Sequence, residues 1–175
     1  LENASAVTQM QALLSALANL EDTQLIFTMP NADTDGRALI NVVEQFVSKH
    51  ANADAFTSLG QLRYLSCIAQ VDGVVGNSSS GLLEVPSFKK GTVNIGDRQR
   101  GRLQATSVIN CDPTQKSTAD AINILYSPSF QEELSQVRSP YGEGGASDKI
   151  VIIIKSVTLD GMIKKYFYNI NQLCG

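Results

Sequence analysis

Short β-branched or apolar runs that alternate with stretches of helical periodicity constrain this chain more than any other feature. The runs are TQLIFTM (23–29), ADAFTSL (53–59), DGVVG (72–76), TVNIG (92–96) and ATSVINC (105–111). Between and around them, apolar side chains recur at the i, i+3, i+4, i+7 spacing of one helix face. Residues 5–20 place Val7, Met10, Leu13, Leu14 and Leu17 on such a face, with Ser5 as N-cap. Residues 33–50 place Leu39, Val42, Val43, Phe46 and Val47 on another. QLRYLSCIAQ reads as a third helix, TQKSTADAINILY as one with Ala121, Ile122 and Leu125 inward, and SPSFQEELSQV as one capped by Ser127 or Ser129. IVIIIK would suit a strand by composition, but GGAS-D supplies a helix start just before it, so a helix is expected there. The alternation implies an α/β fold, a three-layer, doubly wound parallel sheet of Rossmann-like type. Ligands in such folds sit outside the carboxyl ends of the strands. Here those ends are Pro30-Asn31, Gly76-Asn77-Ser78 and Gly96-Asp97-Arg98.

Two of these ends carry the chemistry. DGVVG stops at a polar turn, Asn77-Ser78-Ser79-Ser80-Gly81, and a short helical segment with Glu84 follows; Pro86 then breaks that helix or allows only a kinked continuation. TVNIG discharges into Asp97-Arg98-Gln99-Arg100-Gly101-Arg102. One end offers hydroxyls and backbone N–H groups at a helix N-terminus, and the other offers guanidinium groups. Both favour an anion, most simply a diphosphate. Ser78 and Ser79 could equally form a plain cap, but the arginines that follow favour phosphate. Arg98 directly follows a strand end and points at the same crevice. Arg100 and Arg102 read as surface charges. Glu84 lies four residues after Ser80 and shares its helix face, where a carboxylate can accept from a ribose diol; a solvated surface Glu is the alternative.

Other chemistry-bearing residues fit plainer roles. Asn31, Asp33 and Asp35 are spaced like metal ligands, but a calcium loop needs more oxygens, so a helix cap at Asp33, Thr34 or Asp35 is expected. His50 is the one histidine and sits at a helix C-terminus, which supports no catalytic triad. Gly142-Glu143-Gly144-Gly145 lacks the lysine of a P-loop and reads as a connector. No metal and no cofactor is expected.

A chain of 175 residues is one domain, or one half of a two-domain protein. The net charge of −3 argues against a nucleic-acid coat and makes the arginine cluster a local feature. The longest apolar run, IVIIIKSV, is far short of the ~20 residues of a membrane span, so no membrane partner is expected. Cys67, Cys111 and Cys174 form no C-x-x-C pair, which favours reduced, structural thiols and a cytoplasmic setting. The chain opens with Leu1 and runs at once into a helical pattern, as if cut from a larger protein.

GNSSSG, LLEVPSF and GTVNIGDRQRGR, with IFTMPNADTDGR upstream and SPYGEGGASDKIV downstream, resemble the hydrolysing UDP-N-acetylglucosamine 2-epimerases of sialic-acid and related nonulosonate biosynthesis. The likeness runs over residues 1 to about 157. That family has the two-domain GT-B architecture, with its active site in the cleft between two Rossmann-like domains, and this chain resembles the C-terminal, UDP-holding domain. The resemblance implies that Ser78, Ser79 and Arg98 bind the diphosphate and Glu84 the ribose hydroxyls. It implies a reaction that eliminates UDP from C1 with proton loss at C2, after which water adds to the glycal to give N-acetylmannosamine and UDP. The family's catalytic carboxylates belong to the N-terminal domain, and its functional histidine to a His-Pro-Val-Thr motif expected just before LENASAV. His50 does not match it. No catalytic residue is therefore expected within these 175 residues, and the chain alone is expected to be inactive.

On the same resemblance, 1–175 would be a single nucleotide-binding domain with its core at about 5–157. Residues 158–175, including Tyr166, Phe167 and Tyr168, would form a tail that meets the N-terminal domain. The expected partners are UDP, a UDP-sugar and that domain, in a parent that is a homo-oligomer. Close relatives act instead on a UDP-linked diacetamido-trideoxy sugar. A GT-B glycosyltransferase donor domain is a rival, although many retaining members carry a second Glu eight residues after the first, where this chain has Thr92. A flavodoxin-type nucleotide module and a ligand-free interaction module are the others.

Overall fold

The structure is a computed structural model that describes residues 5–30, 34–158 and 160–161. It divides into two compact units, 1–142 and 143–175. The first unit contains α1 (Ala6–Leu17), β1 (Leu25–Thr28), α2 (Thr34–Val47), β2 (Ala53–Phe56), α3 (Gly60–Gln70), β3 (Gly73–Gly76) and α4 (Ser80–Leu83). A 3-10 turn (Val85–Phe88), β4 (Gly91–Ile95), β5 (Val108–Cys111), α5 (Gln115–Leu125) and α6 (Pro128–Leu134) complete it. The described helix of the second unit is α7 (Ala146–Ser156). All the strands and helices expected from the periodicity form, most with trimmed ends, although α3 and β4 each begin one residue earlier than expected. The run 105–111 loses its first three residues, because Val108 N–H closes a turn on the Ala105 carbonyl before the strand begins.

Every strand pairing is parallel, as the alternation requires. β1 pairs with β2, and β3, β4 and β5 form a three-stranded sheet in that order. All five residues of the central strand β4 are buried. On one face, Val93 and Ile95 join Leu14 and Leu17 of α1, Phe46 of α2, Ala53 of β2 and Ala121, Ile122 and Leu125 of α5 in one apolar core. That cluster unites both sheets, with Leu25 and Phe27 of β1 packed against it. Each large side chain buried in this way contributes about 1.5–3 kcal/mol. On the other face of β4, Thr92 meets α4. The three-stranded sheet is thus covered on both sides, the condition under which parallel strands are stable. β1 and β2 turn Leu25, Phe27 and Ala53 inward, whereas Ile26 and Phe56 on their other face remain 44% exposed.

Local polar bonds set the helix ends. Ser5 Oγ accepts from Thr8 N–H at 3.2 Å and caps α1. Ser127, not Ser129, caps α6, with Pro128 in its first turn. Thr114 Oγ1 caps α5 by accepting from Ser117 N–H at 3.2 Å. Past the end of α2, His50 Nδ1 donates to the Phe46 carbonyl at 2.7 Å, and its ring stacks on Phe46 with centroids 3.8 Å apart. The histidine therefore closes a helix end, as its position suggested. Asn52 Nδ2 donates to both the Leu20 and Thr23 carbonyls, at 3.0 and 2.8 Å, and holds the turn that leads into β1. α7 is the helix that its start signal predicts, with Asp148 in the first turn and Lys155 in the last, both complementary to the helix dipole. Asn31, Asp33, Tyr166, Phe167, Tyr168 and Cys174 lie outside the described residues, and so does the side chain of Asp35.

Candidate functional site

β3 and β4 are in register with Gly76 opposite Asn94, so both strands leave the sheet at the same edge. The polar turn after β3 and the arginine loop after β4 are therefore neighbours. Ser79 is the N-cap residue of α4 and makes no side-chain cap bond, so its hydroxyl is not consumed in capping. Among the described residues the N–H groups of Ser78 and Ser79 have no hydrogen-bond partner, whereas their carbonyls do. Ser78 O accepts from Gly81 N–H at 3.2 Å, and Ser79 O accepts from Leu82 and Leu83 N–H at 3.0 Å each. Ser80 is engaged, with its hydroxyl 2.6 Å from Tyr64 Oη on α3. The turn is thus anchored through its carbonyls, while these two N–H donors have no partner among the described residues. One expectation changes. α4 is a single turn of four residues, too short for an appreciable aligned-peptide dipole, so the attraction it offers an anion is that of local N–H groups and hydroxyls.

Gly81 sets how closely this turn approaches the sheet. Thr92 Oγ1 donates to the Gly81 carbonyl at 2.8 Å. Glu84 N–H bonds to the Ser80 carbonyl at 2.9 Å, which gives Glu84 the same helix face as Ser80, as the spacing implied. Its side chain is partly buried. Pro86 then turns the helix into the 3-10 segment, which ends at Lys89 in a left-handed conformation with φ 57°. Lys89 Nζ donates to the Val137 carbonyl and ties this segment to the end of α6.

Gly96, at φ 74°, turns the chain out of β4 in a conformation that favours glycine. Two successive turns follow, Arg100 N–H to Asp97 O at 2.8 Å and Arg102 N–H to Gln99 O at 3.2 Å. Arg98 is exposed and forms no ion pair among the described residues. Arg100 stands 3.9 Å from Asp97 with 82% of its side chain exposed, a surface pair of little energetic weight. Arg102 is also exposed.

Sequence reasoning overlooked Gln99. It is 3% exposed, and its Nε2 donates to the Asn77 carbonyl at 2.7 Å, across the two loops. A glutamine among three arginines reads as surface, and only the packing shows it buried. Tyr141 also escaped notice; its hydroxyl donates to the Leu103 carbonyl at 3.0 Å and braces the far end of the arginine loop.

Ser78, Ser79 and Arg98 thus flank one bonded contact, Asn77 to Gln99, and Glu84 follows on the same short helix. A separate cavity of about 550 Å³ opens beside β4 and β5, lined by Asn94, Asp97, Arg100, Gln104 and Asn110 among others, and the serine turn does not line it. At its margin, burial pushes the Cys111 thiol up; the Thr118 hydroxyl pulls it down and Asp112 adds to the rise. Among the described residues no three His, Cys, Asp or Glu side chains gather as a metal site, and no helix is long and apolar enough to cross a membrane.

The family profile of UDP-N-acetylglucosamine 2-epimerases matches residues 1–155. The chain belongs to this family. Among curated relatives, the GDP/UDP-N,N'-diacetylbacillosamine 2-epimerase (hydrolyzing) of Campylobacter jejuni is 35% identical over 93% of this chain and 42% of its own length. The polysialic acid biosynthesis protein P7 of Escherichia coli is 36% identical over 98% of this chain and 44% of its own. This epimerase-family chain therefore spans less than half the length of these relatives. Among solved structures, S. aureus MnaA with UDP has a TM-score of 0.69 and 19% identity, over 85% of this chain and 40% of that one. The UDP-GlcNAc 2-epimerase of Neisseria meningitidis bound to UDP-GlcNAc has a TM-score of 0.67 and 16% identity, over 86% and 41%. These two likenesses establish the fold, the α/β GT-B type seen in the epimerases.

Proposed function

We propose that this chain is the UDP-binding part of a hydrolysing UDP-sugar 2-epimerase. The observation that carries the reading is the anchored turn at Ser78–Ser79, whose two N–H groups and Ser79 hydroxyl have no partner among the described residues, beside Arg98, which forms no ion pair among them, at the same end of the sheet. N–H donors and a guanidinium are complementary to diphosphate oxygens. Glu84 follows the turn, where its carboxylate would accept from the ribose hydroxyls. In the full protein these groups would stabilise negative charge as UDP leaves C1 and a proton leaves C2. Water would then add to the resulting glycal, releasing the free 2-epimerised sugar and UDP. Electrostatic help of this kind is worth a few kcal/mol per well-placed donor, about 3.

The groups that remove the C2 proton are assigned to the remainder of the longer protein, so this chain alone is expected to bind but not to turn over. The parent is read as a homo-oligomer that works in the cytoplasm. UDP-N-acetylglucosamine is the first substrate reading. A second is favoured by the relatives from Campylobacter jejuni and Legionella pneumophila, both named for N,N'-diacetylbacillosamine, at 35% and 30% identity. Calorimetric titration of this chain with UDP tests the binding reading; absence of saturable binding by folded protein refutes it. Incubation of a longer protein containing this chain with each UDP-sugar, monitored for free UDP and free sugar, tests the reaction and separates the two substrates.

A further inference from the structure

We infer that Gln99 is the positioning residue of the diphosphate site, holding the serine turn and Arg98 at the spacing at which both can grip one diphosphate. This rests on the UDP-binding reading.

Three consecutive residues of the arginine loop differ in exposure. Arg98 and Arg100 point to solvent, while Gln99 between them is 3% exposed. Backbone bonds on either side, Arg100 N–H to Asp97 O and Arg102 N–H to Gln99 O, leave the loop little freedom to turn that side chain outward. Nε2 reaches 2.7 Å to the Asn77 carbonyl, which belongs to the peptide whose N–H is that of Ser78. A hydrogen bond to a carbonyl orients its whole peptide plane, because the six atoms are coplanar. Gln99 therefore fixes the direction of the Ser78 N–H directly, and it does so from the residue that adjoins Arg98.

Gln99 Oε1, by contrast, is buried without a partner among the described residues. A buried acceptor left unsatisfied is costly, so a side chain chosen for stability alone would be apolar here. The amide nitrogen gives the reason to keep it, since an apolar side chain of the same size would leave the Asn77 carbonyl without this donor and the two arms without their link.

The consequence is specific to ligands that span both arms. A diphosphate would touch the serine turn and Arg98 together, whereas a single phosphate would need only one of them. Gln99→Met keeps the size and removes the donor, so it is expected to weaken UDP about tenfold and to change UMP affinity less than about twofold. NMR titrations with UDP and UMP read both affinities, and thermal melts check the fold. If Gln99→Met does not fold, Gln99→Leu, which also removes the donor and adds no charge, replaces it with the same expectation. Equal losses for UDP and UMP would mean a general structural role and overturn the inference, as would an unchanged UDP affinity. Wild-type protein that is folded and binds no UDP would remove the UDP-binding reading and this inference with it.

Discussion

A Cβ placed on Gly81 would stand 2.6 Å from Thr92 Cγ2, closer than side-chain carbons approach in folded proteins. Thr92 is 2% exposed and also holds the Gly81 carbonyl through its hydroxyl, so it cannot swing away freely. Gly81→Ala is therefore expected to push α4 off β4, at about 1–3 kcal/mol of stability, and to weaken UDP because the serine turn moves with α4. Thr92→Ser removes the clashing methyl and keeps the hydroxyl. Denaturant unfolding of the double variant should recover much of the loss, and equal instability of single and double variants would contradict the packing account.

Ser79→Ala removes a hydroxyl that makes no cap bond. Its thermal midpoint should match wild type, while UDP affinity falls by about 1–3 kcal/mol, the range for a hydrogen bond to a charged group. Arg98→Ala should show the same pattern, because its guanidinium is exposed and unpaired among the described residues. UDP affinity of the wild type should fall with added salt more steeply than that of Arg98→Ala. A stability change without an affinity change in either variant would reverse the assignment.

Leu125 packs on the starting ends of two strands. A Cβ on Gly73 would come 2.6 Å from its Cδ2, and one on Gly91 2.3 Å from its Cδ1. Both glycines leave room for this one leucine, which is 2% exposed. Leu125→Ala should cost about 2–5 kcal/mol, and Leu125→Met markedly less, both measured by chemical denaturation.

Burial raises the Cys111 thiol above its ordinary value, with Asp112 adding to the rise and Thr118 opposing it. The folded state then holds the thiol proton to higher pH than the unfolded chain does. Stability from this group is complete below the unfolded thiol pKa and is lost as pH rises through the folded one. Alkylation of folded Cys111, followed by mass spectrometry, should have its pH midpoint above that of the same cysteine in denatured chain. A midpoint at or below the denatured one would contradict the buried-thiol account.

The element order was legible in the sequence because each signal is local. The helix face through Leu14 and Leu17, the strand VNI and the Ser127 cap depend on residues a few positions apart, and all formed. Even IVIIIK, β-branched in every residue but Lys155, is helical where its start signal said. The candidate site was legible in part for the same reason: two strand ends with serines and an arginine are visible as text. The short α4 and its kinked 3-10 continuation were legible as well, because Pro86 is a local signal, whereas the close approach of Gly81 to Thr92 was not.

By itself the sequence determined the alternation, the parallel class of sheet, the strand ends that carry polar groups, and membership of the epimerase family. Only the tertiary structure decided that Gln99 is buried while its neighbours are exposed, that Gly81 is a contact surface, and that Tyr64 occupies Ser80 while Ser79 makes no cap bond. The physical reason is range. Helical and strand patterns follow from periodicities of a few residues, whereas the bond from Gln99 to Asn77 joins positions 22 apart and exists only once β3 and β4 have paired.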